Sequence, residues 1–254
     1  MSYAVAPVPV PAVAVPKFAM VLAAGLGERM RPATLTTPKP LLEVGGKKLI
    51  DWSLDRLRDQ RVERIVVNTH WLPDQIEAHL KGQPNIEISY EPTRLETGGG
   101  LVRALPRLGD QPFLVLNSDT IVLDGPTPFL QRMAAAWDDS KMDALLLVIA
   151  APRTHAQVGL GDVTMDPVGR LSFREPARVA PYVCAGAYLY HPRLFDGARE
   201  EPFSVVKLWR RAAAAGRLYG LVHDGVWFTV GTPDELDAAE SLLARGGARW
   251  LVVP

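Results

Sequence analysis

The sequence has 254 residues, of which 48% are hydrophobic and 22% charged, a balance that is ordinary for a globular chain with a sizeable core. The 28 basic and 28 acidic side chains cancel, so no global field attracts nucleic acid or an anionic membrane surface, and an anion site must be local. Cys184 is the single cysteine, which excludes an internal disulfide and is typical of a reducing cytosol. We therefore expect a cytoplasmic protein with neither a nucleic-acid nor a membrane partner.

The first sixteen residues, MSYAVAPVPVPAVAVP, are apolar but do not have the features of a signal peptide. They contain no basic segment, and their prolines prevent a continuous apolar helix. No later stretch approaches the length of apolar sequence that a membrane-spanning helix requires. We expect a flexible proline-rich tail at 1–16 and a single domain over 17–254.

Short runs of branched and aliphatic residues predict buried strands at 18–24, 64–68, 86–90, 113–117 and 143–150. Between them the spacing is helical: Ile50, Leu54 and Leu57 share one face, and the TGGG at 97–100 opens another helix. Alternation of strand and helix predicts a mainly parallel, Rossmann-like sheet with helices on both faces over about 17–150.

The pattern changes after residue 155. The stretch GDVTMDPVGRLSF (161–173) predicts two short strands around a turn, and VCAGAYLY (183–190) predicts a third. Val205, Leu208, Trp209 and Ala212 mark an amphipathic helix, and PDELDAAESLLARGG predicts a last one that ends at its glycine pair. The second half, about 151–246, is therefore predicted to be mixed α+β, which makes the whole an α/β fold of three layers around a mixed sheet.

A glycine turn follows the first predicted strand, in FAMVLAAGLGERMRP (18–32). At Gly25 and Gly27 no Cβ obstructs the backbone, so N–H groups can converge on a phosphate. A dinucleotide fingerprint needs a third glycine where Met30 stands, and a P-loop needs Gly-Lys-Ser/Thr, which is absent. The turn favours a triphosphate, with a plain tight turn as the alternative.

The surrounding sequence, GLGERMRPATLTTPKPLLEVGGKKLI (25–50), resembles the signature of sugar-1-phosphate nucleotidylyltransferases, GxGxRxRP followed by TPKP. The resemblance covers roughly 17–246 and is strongest to short bacterial members that act on N-acetylmuramate 1-phosphate. It implies a GT-A-like nucleotidyltransferase fold with a nucleotide half and a sugar half. It continues in ETGGG (96–100), NSD (117–119), GD (161–162), AG (185–186) and WFTVGTP (227–233).

The reaction that the resemblance implies is an in-line displacement at the α-phosphorus of an NTP, which yields NDP-sugar and pyrophosphate. Its catalysis is mostly positioning and charge neutralisation, because the attacking phosphate monoester, with a second pKa of about 6, needs no base. We expect Arg29 to clamp the β- and γ-phosphates and Lys39 to act as a point charge at the α-phosphate. Arg31 is as compatible with a solvated surface position as with a phosphate contact.

Asp119 follows a buried strand, so its carboxylate should emerge where open α/β sheets bind ligands. We assign it to Mg²⁺, which needs only one or two carboxylates besides phosphate oxygens and water. The resemblance implies that Glu96 and the glycine run read the nucleobase, with a glycine-rich helix start as the alternative. The predicted nucleotide-binding residues are Ala23, Ala24, Gly25, Gly27, Glu96, Gly98 and Gly99.

For the sugar, the resemblance points to Asp162, Glu175, and the backbone at Ala185 and Gly186. Asp162 could equally belong to a hairpin and Glu175 could simply be exposed. Many larger relatives also carry a phosphate-binding lysine directly after the glutamate, where this chain has a proline. The candidates to replace that lysine are Arg174, Arg178 and Lys207.

A second departure concerns the metal. Many relatives carry W-x-D-x-G-T, whose aspartate completes the metal site, but this chain has Thr229 at that position. Three interpretations remain: Asp119 holds the metal with phosphates and water, and Thr229 contributes at most through water; Asp224 takes over as second ligand; or the enzyme is impaired.

The sequence therefore predicts an enzyme that uses UTP and N-acetylmuramate 1-phosphate with Mg²⁺. A second interpretation keeps the reaction with GTP or CTP and mannose or heptose 1-phosphate. A third, motivated by Thr229, is a non-catalytic nucleotide-sugar sensor or regulatory subunit. The chain ends soon after Gly247, so we expect no β-helical extension for acetyl transfer.

Overall fold

A computed structural model describes residues 14–154 and 159–246. Most of the predicted tail, 1–13, lies outside the described residues, whereas Val15 is partly buried against the core. Among the described residues, no helix combines the length and the apolar character needed to cross a membrane.

The strands of the described residues follow the predicted runs closely and add several short ones. In chain order they are β1 Phe18–Leu22, β2 Glu43–Val44, β3 Lys47–Lys48, β4 Arg64–Thr69, β5 Ile86–Tyr90, β6 Phe113–Asn117, β7 Thr120–Leu123, β8 Ala144–Ala150, β9 Val163–Met165, β10 Leu171–Phe173, β11 Tyr182–Tyr190, β12 Leu218–Val222 and β13 Val226–Thr229. The helices are α1 Leu49–Asp59, α2 Pro73–Leu80, α3 Glu96–Leu108, α4 Phe129–Ala136, α5 Val206–Ala214 and α6 Pro233–Gly246.

One nine-stranded sheet organises the chain. β5, β4, β1 and β6 are parallel neighbours in that order. β11 then pairs antiparallel with β6 on one side and with β8 on the other, and β12 closes this edge parallel to β8. The β9–β10 hairpin joins at the first residue of β11. The predicted mixed, Rossmann-like sheet is therefore confirmed.

Alternating side chains of the sheet pack two separate layers of helices. On β1, Ala19 and Val21 face the core formed with α1, α2 and α4. Met20, between them, faces the core formed with α3 and α5. This alternation with period two gives the three predicted layers.

The two halves of the sequence interleave in space. β11 belongs to the second half, yet it lies between β6 and β8 of the first half. A two-stranded sheet of β7 and β13 joins the halves again. Residues of both halves therefore meet near the carboxyl ends of β1, β4 and β6, where the loops of the parallel strands converge.

Candidate active site

A pocket of about 480 Å³ opens at the carboxyl ends of the parallel strands. It brings together all three predicted catalytic residues, Arg29, Lys39 and Asp119, although Asp119 lies 80 positions after Lys39 in the sequence. The other predicted residues on its wall are Ala24, Gly25, Gly27 and Glu96, and residues that were not predicted individually include Leu22, Asn68, Glu91, Arg94, Thr97, Asn117, Ser118 and Gly231.

The glycine turn after β1 has two glycines with different roles. Gly27 has φ +63°, and a Cβ there would lie 2.8 Å from Cγ2 of Thr34 and 3.1 Å from Cβ of Lys39, so the fold itself requires glycine. A Cβ on Gly25 would meet no protein atom within 4 Å. Since Gly25 also lines the pocket, its bare backbone is open to a ligand rather than needed for packing.

Lys39 and Asp119 form an ion pair in the pocket, with Nζ 2.6 Å from Oδ2. Lys39 starts a short 3₁₀ helix within the TPKP segment and is almost fully buried. Asp119 lies in the turn between β6 and β7 and is one-third exposed, at 32%. The Asp119 carboxylate thus faces solvent, with the Lys39 ammonium buried beside it. Together the two groups can bind a cation and an anion at adjacent points.

Arg29 lies against Gly231, in the VGT segment that follows β13. A Cβ at Gly231 would be 2.8 Å from Nη2 of Arg29, so glycine leaves the room that the guanidinium occupies. The backbone N–H of Gly231 donates to Oε2 of Glu235 at 2.6 Å, which anchors this segment on α6. Arg31 is half exposed, with Glu28 3.9 Å away, and does not line the pocket.

The β7–β13 pairing places the two candidate second metal ligands near opposite ends of β13. Thr229 lies opposite Thr120, directly after Asp119, and the next residue, Val230, donates its N–H to the Asp119 carbonyl at 2.9 Å. Asp224 lies beyond the other end of β13, and its carboxylate pairs with Arg132 at 2.7 Å. The structure therefore keeps Thr229 beside Asp119 and separates Asp224 from it. Within the described residues, no group of three or more His, Cys, Asp or Glu side chains is arranged to hold a metal.

The glycines of ETGGG have a packing role instead of the predicted contact with a base. All three are buried within α3. A Cβ on Gly98 would overlap the ring of Phe203, and one on Gly99 would overlap the carbonyl of Glu201. The N–H of Gly98 already donates to the Phe203 carbonyl at 2.8 Å, so it is not free to read a base. Glu96 remains on the pocket wall.

Ala23 also differs from its predicted role. It is buried, and its N–H donates to the side chain of Asn68 at 2.7 Å. Ala23 therefore forms the floor beneath the pocket, while its neighbour Ala24 lines the wall.

Two of the predicted sugar residues, Ala185 and Gly186, lie within β11. Gly186 has φ +75° at an irregularity of β11, and a Cβ there would lie 2.6 Å from Oγ1 of Thr120. It therefore adjoins the turn that carries Asp119. The carbonyl of Ala185 accepts a bond from the Trp227 indole at 2.9 Å, so this carbonyl is already used. Neither residue lines the pocket, and Gly186 borders a separate small cavity with Trp52 and Thr120.

Asp162 and Glu175 have structural partners. Asp162 accepts a hydrogen bond from the Cys184 N–H at 2.9 Å. Burial and the nearby Asp162 raise the pKa of the Cys184 thiol far above its ordinary value, which disfavours a reactive thiolate. Glu175 is exposed and pairs with Arg178 at 2.9 Å. Arg174 donates to the carbonyls of Glu175 and Arg178 in the same loop and to that of Gly161 before β9. Arg174 and Arg178, two of the three candidate replacements for the missing lysine, therefore bond within the protein.

Sequence reasoning did not identify Asn68 or Glu91, which border the pocket. Both are buried polar residues at the carboxyl ends of strands, since Asn68 lies near the end of β4 and Glu91 follows β5 directly. A polar residue that ends an apolar run was the available signal, because the carboxyl ends of parallel strands share one edge of the sheet.

Two bacterial proteins that share one name are similar to this chain over nearly their full length. A protein from Caulobacter vibrioides named N-acetylmuramate alpha-1-phosphate uridylyltransferase is 42% identical over 237 residues, which cover 91% of this chain and 98% of the relative. A protein of the same name from Neisseria meningitidis serogroup B is 40% identical over 240 residues, covering 88% of this chain and 97% of the relative.

The fold has solved counterparts. The crystal structure of a putative glucose-1-phosphate thymidylyltransferase from Bacillus anthracis superimposes with a TM-score of 0.74 at 20% identity, covering 88% of this chain and 94% of the other. A profile of the family described as nucleotidyl transferase matches residues 18–245. On the family match and the two bacterial relatives, the chain belongs to the nucleotidyl transferase family.

Proposed function

We propose that this protein transfers the uridylyl group of UTP to N-acetylmuramate 1-phosphate and releases pyrophosphate. The observation that carries the proposal is the convergence of Arg29, Lys39 and Asp119 on one pocket that the bare Gly25 backbone also lines. The names and the near full-length match of the two bacterial relatives support the choice of substrates.

The residues of the pocket suit a displacement at phosphorus. The sugar phosphate is itself the nucleophile and is largely dianionic at neutral pH, so the protein has to bring two anions together. Lys39 neutralises charge where the two substrates meet, and Arg29 binds the end of the triphosphate that leaves as pyrophosphate. Gly25 and Gly27 let the backbone approach those phosphates.

The donor set fits Mg²⁺. Asp119 is the carboxylate that pairs with Lys39, and Mg²⁺ commonly takes one or two carboxylates and fills its remaining positions with phosphate oxygens and water. Asp119 would hold the ion, with Thr229 contributing at most through a water. When bound, the ion neutralises phosphate charge and orders the triphosphate. The Asp119 carboxylate would then pair with both the ion and the Lys39 ammonium.

The wall near α3 supports recognition of a base that has both donors and acceptors on its edge. Arg94 and Glu96 lie side by side, with Nη2 3.7 Å from Oε1, and both line the pocket. Arg94 can donate and Glu96 can accept, which suits the alternating acceptor and donor groups of uracil. This pair, rather than the buried glycines, is our candidate for reading the base.

The proposal is tested by a matrix of nucleoside triphosphates and sugar 1-phosphates with Mg²⁺, with pyrophosphate release as the readout. We expect the highest kcat/KM for UTP with N-acetylmuramate 1-phosphate. A maximum at GTP or CTP with mannose or heptose 1-phosphate would replace the substrates but keep the reaction. Thr229 motivates the alternative of a non-catalytic nucleotide-sugar sensor. Nucleotide binding without pyrophosphate release for any pair of nucleoside triphosphate and sugar 1-phosphate would establish that alternative.

A further inference from the structure

Glu91, the residue after β5, is a fully buried acid beside the pocket. Buried carboxylates are almost always paired, because loss of hydration is costly for a charge. Within residues 14–154 and 159–246, the Glu91 carboxylate has no ion pair and accepts two hydrogen bonds instead. Oε1 accepts from Nδ2 of Asn68 at 2.7 Å, and Oε2 accepts from the backbone N–H of Leu95 at 3.0 Å.

These bonds belong to a chain with a fixed direction. The backbone N–H of Ala23 donates to Oδ1 of Asn68 at 2.7 Å, so the amide nitrogen of Asn68 must face Glu91. At the other end, the N–H of Leu95 also can only donate. Because both backbone N–H groups donate, the side chain at position 68 must offer an acceptor to Ala23, and the side chain at position 91 must offer one to Leu95. Between the two side chains, one group must then donate and the other accept. Two amides would turn one NH₂ group against the other, so one of the two side chains must be a carboxylate.

The chain joins the two functional sides of the pocket. The carbonyl of Leu22, which precedes Ala23, accepts from the N–H and Oγ of Ser118, at 3.2 and 2.6 Å. Ser118 is adjacent to Asp119. At the far end, Leu95 is adjacent to Glu96, the candidate base contact. A continuous set of hydrogen bonds thus fixes the segment that carries Asp119 relative to the segment that carries Glu96.

The third glycine of ETGGG, Gly100, is independent evidence that the fold makes room for the Glu91–Asn68 hydrogen bond. A Cβ on Gly100 would lie 2.5 Å from Oε1 of Glu91 and 3.1 Å from Nδ2 of Asn68. Gly100 is in the middle of α3, where glycine costs helix stability, and its φ is ordinary. The space it leaves is occupied by the Glu91 carboxylate and the Asn68 amide.

We propose that Glu91 is a positioning residue whose carboxylate, through Asn68 and Leu95, holds the phosphate side and the base side of the pocket at a fixed separation. It acts before any substrate binds, and it contacts protein rather than nucleotide. This inference rests on the proposed function, because it assigns the triphosphate and the base to those two sides.

The test exchanges the charge between the two side chains. Glu91→Gln alone sets two NH₂ groups against each other, and Asn68→Asp alone sets two carboxylates against each other. In the double variant, the amide at position 91 donates to a carboxylate at position 68, and both backbone N–H groups keep an acceptor. Glu87→Gln on β5 is the matched control, because this half-exposed carboxylate pairs with Arg64 away from the pocket.

UTP binding is measured by calorimetry, alongside kcat/KM and the unfolding temperature. We expect each single variant to lose about tenfold or more in UTP affinity, the range that an unsatisfied buried donor or acceptor produces. The double variant should recover to within about threefold of the wild type, and Glu87→Gln should match the wild type.

Wild-type UTP affinity in both single variants would overturn the inference. So would a double variant that binds UTP as poorly as the single variants, or a drop in unfolding temperature in the single variants with no change in UTP affinity. If a single variant does not fold, the double variant still decides: recovery of folding and UTP affinity supports the inference, and failure to recover them overturns it. Binding is measured without sugar, so a wild type that binds UTP but releases no pyrophosphate overturns the proposed function alone.

Discussion

The ammonium of Lys39 lies 2.6 Å from the carboxylate of Asp119, and this pair joins the TPKP segment to the turn after β6. The pair holds a positive and a negative group at the point where two anionic substrates and a cation are proposed to meet. Because Lys39 is almost fully buried, its charge is weakly screened by water, so it acts strongly on a phosphate that enters the pocket.

Removing either of the two side chains proposed to bind phosphate, Lys39 or Arg29, should give a distinct kinetic result. Lys39→Ala should lower kcat on the order of 10²-fold or more, because its charge matters most while the α-phosphate is transferred. Arg29→Ala should raise KM for the NTP as well, because a clamp on the β- and γ-phosphates also binds the ground state. Steady-state kinetics with NTP as the varied substrate measures both. A wild-type kcat in Lys39→Ala would remove that residue from the site.

The metal assignment is tested by the dependence of initial rate on Mg²⁺ concentration. Asp119→Asn should abolish Mg²⁺-dependent transfer, because Asp119 is the carboxylate assigned to the ion. Thr229→Asp should be tolerated or should lower the Mg²⁺ requirement, because it adds a carboxylate beside Asp119. Asp224→Ala should leave the Mg²⁺ curve unchanged, because Asp224 pairs with Arg132 at the other end of β13. An unchanged curve in Asp119→Asn would contradict the whole assignment.

Gly25→Ala should separate ligand binding from folding. A Cβ at Gly25 meets no protein atom within 4 Å, so we expect an unfolding temperature close to that of the wild type. The methyl group would project from the pocket wall and hinder the close approach of a phosphate, so KM for the NTP should rise. Thermal unfolding and kinetics on one preparation test both parts. An unchanged KM would show that the triphosphate lies elsewhere.

His223 should make the protein less stable in mild acid. Its Nε2 lies 3.1 Å from the Leu123 carbonyl and 3.3 Å from that of Val226, whereas Nδ1 has no hydrogen-bond partner among the described residues. Burial lowers the pKa of His223 in the folded state. The unfolded chain therefore binds the proton more readily, and stability falls as pH drops below the ordinary histidine pKa of about 6.5.

His223→Gln keeps a side-chain N–H donor but cannot titrate, so it should flatten the loss of stability between about pH 7 and about pH 5. Denaturant unfolding at several pH values measures this slope. His191, whose pKa is also lowered by burial and by Arg193, should account for part of the slope that remains. An identical pH dependence in wild type and variant would exclude His223 as its source.

The amino-terminal boundary should lie between residues 13 and 16. Composition alone predicts that deletion of the whole predicted tail, 1–16, leaves activity and unfolding temperature unchanged, and we keep this expectation for deletion of 1–13. Deletion of 1–16 also removes Val15, which packs against the core on the α1 face of the sheet. That deletion should lower the unfolding temperature by about 2–4 °C, the shift expected for roughly 1 kcal/mol in a domain of this size. Equal stability of the two truncated proteins would show that the Val15 contact contributes nothing.

Local sequence patterns determined much of this protein. Apolar runs predicted β1, β4, β6, β8 and β11, because a strand buried on both faces needs a continuous apolar run. The strand β5 was also predicted, although it lies at the sheet edge and is only partly buried. The glycines of the GLGERMRP motif predicted the turn at Gly25, and the match of this motif, TPKP and NSD to the family signature suggested the roles proposed for Arg29, Lys39 and Asp119. These motifs are readable because each depends on residues close together in the chain or on a match to the family signature.

The tertiary structure alone decided which side chains share an environment. Asp224 and Thr229 are five positions apart and the sequence left both open, yet the β7–β13 register leaves only Thr229 beside Asp119. The glycines of ETGGG suggested a surface for a base, but packing against Phe203 and Glu91 requires them. Whether a polar group faces a ligand or a neighbouring side chain depends on strand register and helix packing, which are set by burial across the whole sheet and by no single motif.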